Sequence, residues 1–226
     1  MMPVTTLTLT AADVALHQRL GITTEWLEAA KVRRVDDREA RELLNQSRRP
    51  GSLAGIVYPY VDPRTQRAVT YRVRRDNPEI EDGKPKQKYL SPHGDRSHLY
   101  FPPDCSERLT DTTTSVIIVE AEKSVLSVMC AADRVHRAVL AIGLGGCWGW
   151  RGRIGKTTDA NGSRVDEVGA LPDLDLITWT DRDVVIAFDV NAFANPKVQA
   201  ARCALTKELS RAERGAKVRI VELPRA

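Results

Sequence analysis

The sequence predicts an α/β fold with a parallel sheet and flanking helices, preceded by a small α+β N-terminal subdomain. Two apolar runs carry this prediction, VIIV at 116–119 and VVIAF at 184–188. Short runs rich in β-branched residues and bounded by polar ones are typical of strands buried on both faces of a sheet. A helical pattern follows each run, which indicates that the two strands are parallel.

The composition indicates a globular protein with a hydrophobic core. Of the 226 residues, 42% are hydrophobic and 28% are charged, and no apolar run approaches the roughly 20 residues of a membrane span. The N-terminus lacks a cationic stretch leading into an apolar one, so no secretory signal is expected. The four cysteines are scattered without CxxC spacing, which favours reduced thiols and a cytoplasmic location, without a membrane.

The net charge of +4 lies in the first half of the chain. Up to Pro103 there are 17 Lys+Arg and 13 Asp+Glu, and the remainder is balanced at 17 of each. A local basic surface of this kind suits phosphate-bearing partners, although the total charge is small.

Residues 1–110 are predicted to form the N-terminal subdomain. Thr10 and Asp13 resemble a capping box that begins the first of three short helices within 11–46. From residue 53 the pattern becomes rich in Val, Tyr and Thr, with a turn at Asp62, which predicts a β-hairpin inside a β-rich segment at 53–103.

Residues 111–226 are predicted to form the α/β domain in the order β, α, β, loop, β, α, β. The loop spans 147–175 and carries several glycines and charges; a connection that long is typically functional or mobile. Asn195 followed by Pro196 predicts the start of a helix that continues to about Arg214, with Gly215 as its C-cap. KVRIVELP at 217–224 is the predicted last strand.

Oxygen-bearing side chains follow two of the predicted parallel strands. Glu120 ends the first strand, and Asp189 and Asn191 end the third. The carboxyl edge of an open α/β sheet is where ligands bind, and three such oxygen side chains suit a hard cation such as Mg²⁺.

This order and these motifs resemble the toprim domain. The resemblance covers most of the chain: it is widest to DnaG-type primases and closest to the toprim-containing primase-like proteins of plasmids and phages. VIIVEAEKSV stands where the family has a strand followed by EGxxD, and VVIAFDVN where it has FDxD. GITTEWLEAAKV, GIVYPYVDPRTQRAVTYRVR and KYLSPHGDRSHLYFPP are similar to segments of the primase core.

The resemblance implies a Mg²⁺- or Mn²⁺-dependent nucleotidyltransferase that acts on single-stranded DNA or a primer-template with nucleoside triphosphates. It implies replication of a mobile element, with a helicase or another replication protein as a further partner. Glu120, Asp189 and Asn191 are the expected metal ligands, and Glu120, Asp189 and Lys88 the expected catalytic residues. The expected phosphate contacts are Arg72, Arg74, Lys88, Tyr89, Lys123 and Arg151. The zinc-binding module and helicase-binding region of full primases are expected to be absent.

The chain departs from the family pattern at three positions. Ala121 replaces a glycine, Ser124 replaces the aspartate of EGxxD, and Asn191 replaces the second aspartate of FDxD. The last change lowers the formal charge of the site from −3 to −2, which weakens Mg²⁺ binding. Glu122 and Asp183 are candidates to compensate.

Two alternatives remain open beside the polymerising enzyme. A catalytically degenerate protein would bind nucleic acid or a replication partner without chemistry, and a toprim nuclease would use the same acidic residues for cleavage. The primase-like segment at 51–103 argues against the nuclease.

The segment GCWGWRGRIGKTT at 146–158, where the 147–175 loop begins, is not a P-loop, because Trp150 occupies the position of its first glycine. Arg151, Arg153 and Lys156 are candidates to line a nucleic-acid channel. Trp148 and Trp150 either pack beneath the loop or stack on bases, with packing favoured.

Overall fold

The structure is a computed structural model that describes residues 8–189 and 195–222. The chain divides into two compact units between Asp95 and Arg96. The sequence pattern predicts this boundary after residue 110. The structure assigns 96–110 to the second unit because Leu99, Phe101 and Leu109 belong to that unit's hydrophobic core.

From residue 8 onward, where the structure describes it, the first unit contains three short helices and six strands. The helices are α1 (Ala11–Gln18), α2 (Thr24–Ala29) and α3 (Asp37–Leu44). The strands are β1 (Arg33–Val35), β2 (Gly55–Val61), β3 (Ala68–Arg75), β4 (Ile80–Glu81), β5 (Lys84–Pro85) and β6 (Tyr89–Leu90).

Local side-chain capping begins each helix where the sequence indicates it. The Thr10 hydroxyl accepts the Asp13 N–H, and the Asp13 carboxylate accepts the Thr10 N–H, which completes the predicted capping box of α1. The Thr23 hydroxyl accepts the Trp26 N–H at the start of α2, and the Asp36 carboxylate accepts the Glu39 N–H at the start of α3. All three predicted helices are therefore confirmed.

An antiparallel sheet in the order β1-β2-β3-β6 forms the other layer of the first unit. The predicted hairpin is β2 and β3, and the Asp62 carboxylate accepts backbone N–H groups of Arg64 and Thr65 in its turn. Strand β1 is not predicted from the sequence, because it is only three residues long and lies between two helices.

Within 96–189 and 195–222, the described residues of the second unit form three helices, six strands and a short 3-10 helix. The helices are α4 (Ser106–Thr110), α5 (Glu122–Arg134) and α6 (Pro196–Leu209), and the 3-10 helix is Pro172–Leu176. The strands are β7 (Ser115–Val119), β8 (Val139–Gly143), β9 (Arg151–Thr158), β10 (Arg164–Ala170), β11 (Asp183–Ile186) and β12 (Lys217–Ile220).

A four-stranded parallel sheet in the order β12-β11-β7-β8 organises the second unit. Helices flank the sheet, and the core packs Val116, Ile118, Val184 and Ile186 with residues of the other elements. The predicted fold class, a parallel α/β sheet with flanking helices after an α+β N-terminal subdomain, is confirmed.

Arg182 ties the segment before β7 to the start of β11. Its buried guanidinium donates to backbone carbonyls of Arg108, Leu109, Thr114 and Thr178. Desolvation lowers the pKa of Arg182 from its ordinary value, and the charge of Asp111 partly offsets this. An arginine held by four carbonyls fixes the segment against the sheet.

Two sequence-based element predictions in this unit need correction. The 147–175 connection is not a loop, because β9 and β10 form an antiparallel hairpin within it. Helix α6 ends at Leu209 and not near Arg214; Ser210 is its C-cap, and Gly215 takes a left-handed φ of 65° in the turn that follows.

All four cysteines are free thiols. Among the described residues, none of the helices has the length and apolar character needed to cross a bilayer.

Candidate active site

The carboxyl ends of β7 and β11 bring two acidic residues together. Ile118 and Ile186 are partners in the parallel register of these strands, and Glu120 and Asp189 follow them. The backbone N–H of Asp189 donates to Glu120 Oε1 at 3.1 Å. Residues 69 positions apart in sequence therefore meet at the edge where parallel sheets bind ligands.

Glu120 is half-buried, whereas Asp189 is exposed. Burial raises the pKa of Glu120, and the negative charge of Asp189 raises it further, against the opposing effect of the Asp189 N–H. The charge of Asp189 disfavours the ionisation of Glu120, so the site is a locally electronegative point. A cation at this point would relieve both the desolvation and the repulsion.

A tight turn after β8 lies against Glu120. The Gly146 N–H donates to the Glu120 carbonyl at 2.9 Å, and burial together with the charge of Glu120 raises the pKa of the Cys147 thiol. An added Cβ on Gly149 would lie only 1.7 Å from the Leu144 carbonyl oxygen. This turn therefore requires glycine at position 149, and it fixes the backbone beside Glu120.

Ala121, which stands where the toprim pattern has a glycine, does not strain the backbone. Ala121 has φ −128° and ψ 156°, which is extended backbone open to any residue. Ala121 is the N-cap of α5 and makes no side-chain capping bond, and Lys123 and Ser124 lie half-buried in the first turn.

Asp183 and Glu122 are the candidates to supply the missing third carboxylate, and the structure places them in different surroundings. Asp183 begins β11, at the opposite end of the strand from Asp189, and pairs with Arg219 at 3.3 Å. Glu122 is buried, and its charge contributes to raising the pKa of the buried Tyr100 phenol, after the larger effect of desolvation. Asp183 is thus excluded as a compensating ligand by its position.

The donor set fits a magnesium ion that is completed by substrate or water. Asn191, the third predicted ligand, lies outside the described residues, and within the described part of the chain no three His, Cys, Asp or Glu side chains converge. Mg²⁺ is commonly held by one or two carboxylates together with substrate phosphates. The hard oxygens of Glu120 and Asp189 satisfy that requirement.

In the first unit, three of the predicted phosphate-binding residues share one face of the antiparallel sheet. Arg74 pairs with Tyr89 across β3 and β6, and the Arg72 guanidinium lies 5.0 Å from the centre of the Tyr89 ring. Arg72 and Arg74 are two residues apart on β3, so their side chains project to the same side. The Arg74 Nε is buried and has no hydrogen-bond acceptor among the described residues.

Arg75 and Lys88 are the cations next to this group in the sequence. The side chain of Arg75 is buried, with its guanidinium bound to both carboxylate oxygens of Glu79 at 2.6 and 2.7 Å, so it is structural. Lys88 immediately precedes β6, and its carbonyl accepts the Arg75 N–H at 2.9 Å.

The two tryptophans in the predicted loop have different environments. Trp150 is buried in the core of the second unit, as expected for packing, whereas Trp148 is 38% exposed. Their rings stack at 6.3 Å, and the Arg151 guanidinium lies 5.9 Å from the Trp148 ring and 5.7 Å from the Trp150 ring. Trp148 therefore keeps an accessible aromatic surface next to a cation.

Comparison with solved structures identifies the fold as that of a primase catalytic core. The crystal structure of the zinc-binding and RNA polymerase domains of the Aquifex aeolicus primase matches with a TM-score of 0.57 and 17% identity, over 95% of this chain and 50% of that chain. A structure of the DnaG catalytic core matches with a TM-score of 0.53 and 13% identity, over 99% of this chain and 66% of that chain. The chain thus spans between half and two thirds of those proteins.

The chain belongs to the family described as Domain of unknown function (DUF3854), whose model matches residues 107–226. The match covers the parallel sheet, both acidic residues and the β9–β10 hairpin. No curated protein sequence matches the chain.

Proposed function

We propose that this protein is a primase-like nucleotidyltransferase that uses Mg²⁺ or Mn²⁺ to join nucleotides on a single-stranded DNA template. The observation that carries the proposal is the apposition of Glu120 and Asp189 at the carboxyl edge of a parallel sheet with the primase-core fold. We further propose that the protein has a toprim domain and serves the replication of a plasmid or phage, with a helicase or another replication protein as partner.

In the proposed reaction, a 3′ hydroxyl gives its proton to water while its oxygen forms a bond to the α-phosphorus of a nucleoside triphosphate. The bond from that phosphorus to the bridging oxygen breaks, and pyrophosphate leaves. Glu120 and Asp189 would hold the cation, with Asn191 as a proposed third ligand. The bound ion would neutralise phosphate charge and acidify the attacking hydroxyl.

The basic residues would bind the polyanionic substrates. Arg72 and Arg74 offer guanidinium groups that contact phosphates bidentately, and Tyr89 lies beside them. Lys88 would hold a triphosphate as a point charge, and Lys123, in the first turn of α5, would do so near the carboxylates.

The test is primer synthesis on circular single-stranded DNA with labelled nucleoside triphosphates and Mg²⁺ or Mn²⁺, followed on denaturing gels. We expect labelled products from the wild type and none in EDTA. Asp189→Asn keeps the backbone N–H that binds Glu120 but removes the charge, and should lower synthesis by at least about 100-fold. Asp183→Asn makes the same change at the other end of β11 and should retain activity within about twofold.

Synthesis that is equal in the Asp189→Asn and Asp183→Asn variants would contradict the assignment of the metal site. End-labelled DNA in the same reactions distinguishes the nuclease alternative, because cleavage shortens the template instead of extending a product.

A second candidate function is nucleic-acid binding without catalysis. It is favoured by Ser124 and Asn191, which stand where the family pattern has aspartates and leave the site with fewer carboxylates. It predicts salt-sensitive DNA binding that persists in EDTA and in Asp189→Asn, with no labelled product from the wild type under either metal.

A further inference from the structure

We infer that one face of the β9–β10 hairpin is a binding surface for the backbone of single-stranded nucleic acid. The inference deepens the proposed function and rests on it only for the choice of a polynucleotide as ligand. It depends on a β-bulge that gathers the hairpin's cations on a single face.

The bulge changes which residues of β9 share a face. Cross-strand partners lie on the same face of an antiparallel pair, and the register shifts from Gly155↔Glu167 to Arg153↔Val168. Ile154 is the extra residue. Arg153 and Lys156, whose odd spacing would place them on opposite faces of a regular strand, are therefore on the same face.

The register assigns all four cations of the two strands to this face, which we call the basic face. Its cations are Arg151, Arg153, Lys156 and Arg164. Asp166, the partner of Lys156, is its one acidic residue, with 3.5 Å between Lys156 Nζ and the carboxylate. All four cations are solvent-exposed.

The opposite face of the hairpin carries none of the four cations of β9 and β10. It carries Gly152, Gly155, Thr157 and Glu167. The Ile154 side chain also lies on this side, because an added Cβ on Gly169 would lie 2.7 Å from Ile154 Cδ1. At the base of the hairpin the same face turns toward the body of the unit, since Gly152 lies near Leu171 and Ser97.

The basic face continues toward the acidic pair through an aromatic surface. Arg151 stands next to the exposed Trp148, and Cys147 lies within electrostatic reach of Glu120. Cations for phosphates beside an aromatic ring for bases are the combination by which proteins hold single strands without sequence preference. A single strand is favoured over a duplex because only unpaired bases offer their faces to Trp148.

The experiment measures binding of a fluorescent oligothymidylate to the full chain by anisotropy, in EDTA and without triphosphates, over a range of salt concentrations. Arg153→Gln and Arg164→Gln each remove one cation from the basic face. Each should weaken binding severalfold and reduce the slope of log K against log salt by about 0.7, the value for one single-strand phosphate contact. In the double variant, the reduction of the slope should be about twice as large.

Thr157→Glu is the matched control, because it changes the net charge by the same amount on the opposite face. It should keep the wild-type slope. Trp148→Ala should weaken binding severalfold without changing the slope, because stacking releases no counterions. Circular dichroism checks that each variant is folded.

Three results would overturn the inference: a wild type that does not bind, a Thr157→Glu variant that loses as much slope as Arg153→Gln, or basic-face variants with the wild-type slope. A duplex of the same length that binds as tightly, with no effect of Trp148→Ala, would overturn the assignment to single strands. Because the assay contains neither metal nor triphosphate, its outcome is independent of whether primer synthesis is observed.

Discussion

The ionised form of Glu120 is unfavourable in the folded protein. Burial and the Asp189 charge raise its pKa above the ordinary value of 4.5, so ionisation of Glu120 opposes folding. This penalty is absent below the unfolded-state pKa, grows as the pH rises from that value to the raised folded-state value, and is complete above it. An unfavourable carboxylate of this kind is typical of a functional site.

We therefore expect Glu120→Gln to unfold at a higher temperature than the wild type at neutral pH in EDTA. Gln keeps an oxygen for the Asp189 N–H while removing the charge, and the two melting temperatures should converge as the pH falls toward 4.5. Added Mg²⁺ should stabilise the wild type more than the variant. Glu107→Gln, an exposed change of the same charge on α4, should stay within about 0.5 kcal/mol of wild type.

The Arg75–Glu79 pair stabilises the first unit at neutral pH, and this contribution is lost in acid. The effect of pH is therefore opposite to that expected for Glu120. The bidentate bond to Arg75 is the main cause that lowers the pKa of Glu79 to about 2. A lowered folded-state pKa contributes stability above the unfolded-state value of about 4.5, and this contribution is lost as the pH falls toward 2.

Glu79→Gln should therefore be less stable than wild type to urea at neutral pH, and the difference should shrink between pH 4.5 and 2. Far-UV circular dichroism measures the transition. Glu81→Gln is the matched control, because Glu81 pairs with the exposed Lys86 on the β4–β5 hairpin. A difference between Glu79→Gln and wild type that stays constant across this range would contradict the assigned role.

At the level of secondary-structure elements, the buried segments were predictable because burial and capping leave local patterns. The apolar strands β7 and β11 and the Thr10 and Asp36 caps are examples. The β9–β10 hairpin left no such pattern, since both of its faces are largely exposed and its strands carry glycines and charges. All four of its cations lie on one face only because of the bulge. The regular alternation of side chains along a strand does not predict that bulge.

The hairpin should be removable without unfolding the second unit. Its base is closed by the Arg151↔Ala170 pair and by the Leu171 N–H bond to the Trp150 carbonyl at 3.0 Å. Replacing 152–169 by Asn-Gly, which favours a two-residue hairpin turn, should lower the stability by no more than about 1–2 kcal/mol. Thermal unfolding measures this change, and loss of cooperative unfolding would show that the hairpin is part of the core.

At the level of the whole molecule, each of the two units has its own hydrophobic core. One core groups residues between Val35 and Leu90, and the other groups residues between Leu99 and Ala216. The candidate site was predictable in outline because strand order fixes which chain segments end at the same sheet edge. The boundary was not, since residues 96–110 lack a strong periodic pattern and join the second core through scattered contacts.

The two possible boundaries make different predictions for fragments of the chain. A fragment of residues 96–226 contains the whole second core, whereas one of residues 111–226 lacks Leu99, Phe101, Cys105 and Leu109. The shorter fragment also removes the Arg108 and Leu109 carbonyls that accept bonds from Arg182, which leaves a buried guanidinium incompletely paired. Burial of each missing large apolar side chain contributes roughly 1.5–3 kcal/mol.

We expect the 96–226 fragment to unfold cooperatively and to show dispersed amide signals in NMR spectra. The 111–226 fragment should lack both properties, because the lost burial alone approaches the total stability of an ordinary domain. Restoring residues 96–110 with Leu99 and Leu109 changed to Ala separates the two contributions, since that variant keeps the carbonyls for Arg182 and loses apolar contact only. Equal stability of the two fragments would contradict the boundary after Asp95 and favour the one after residue 110.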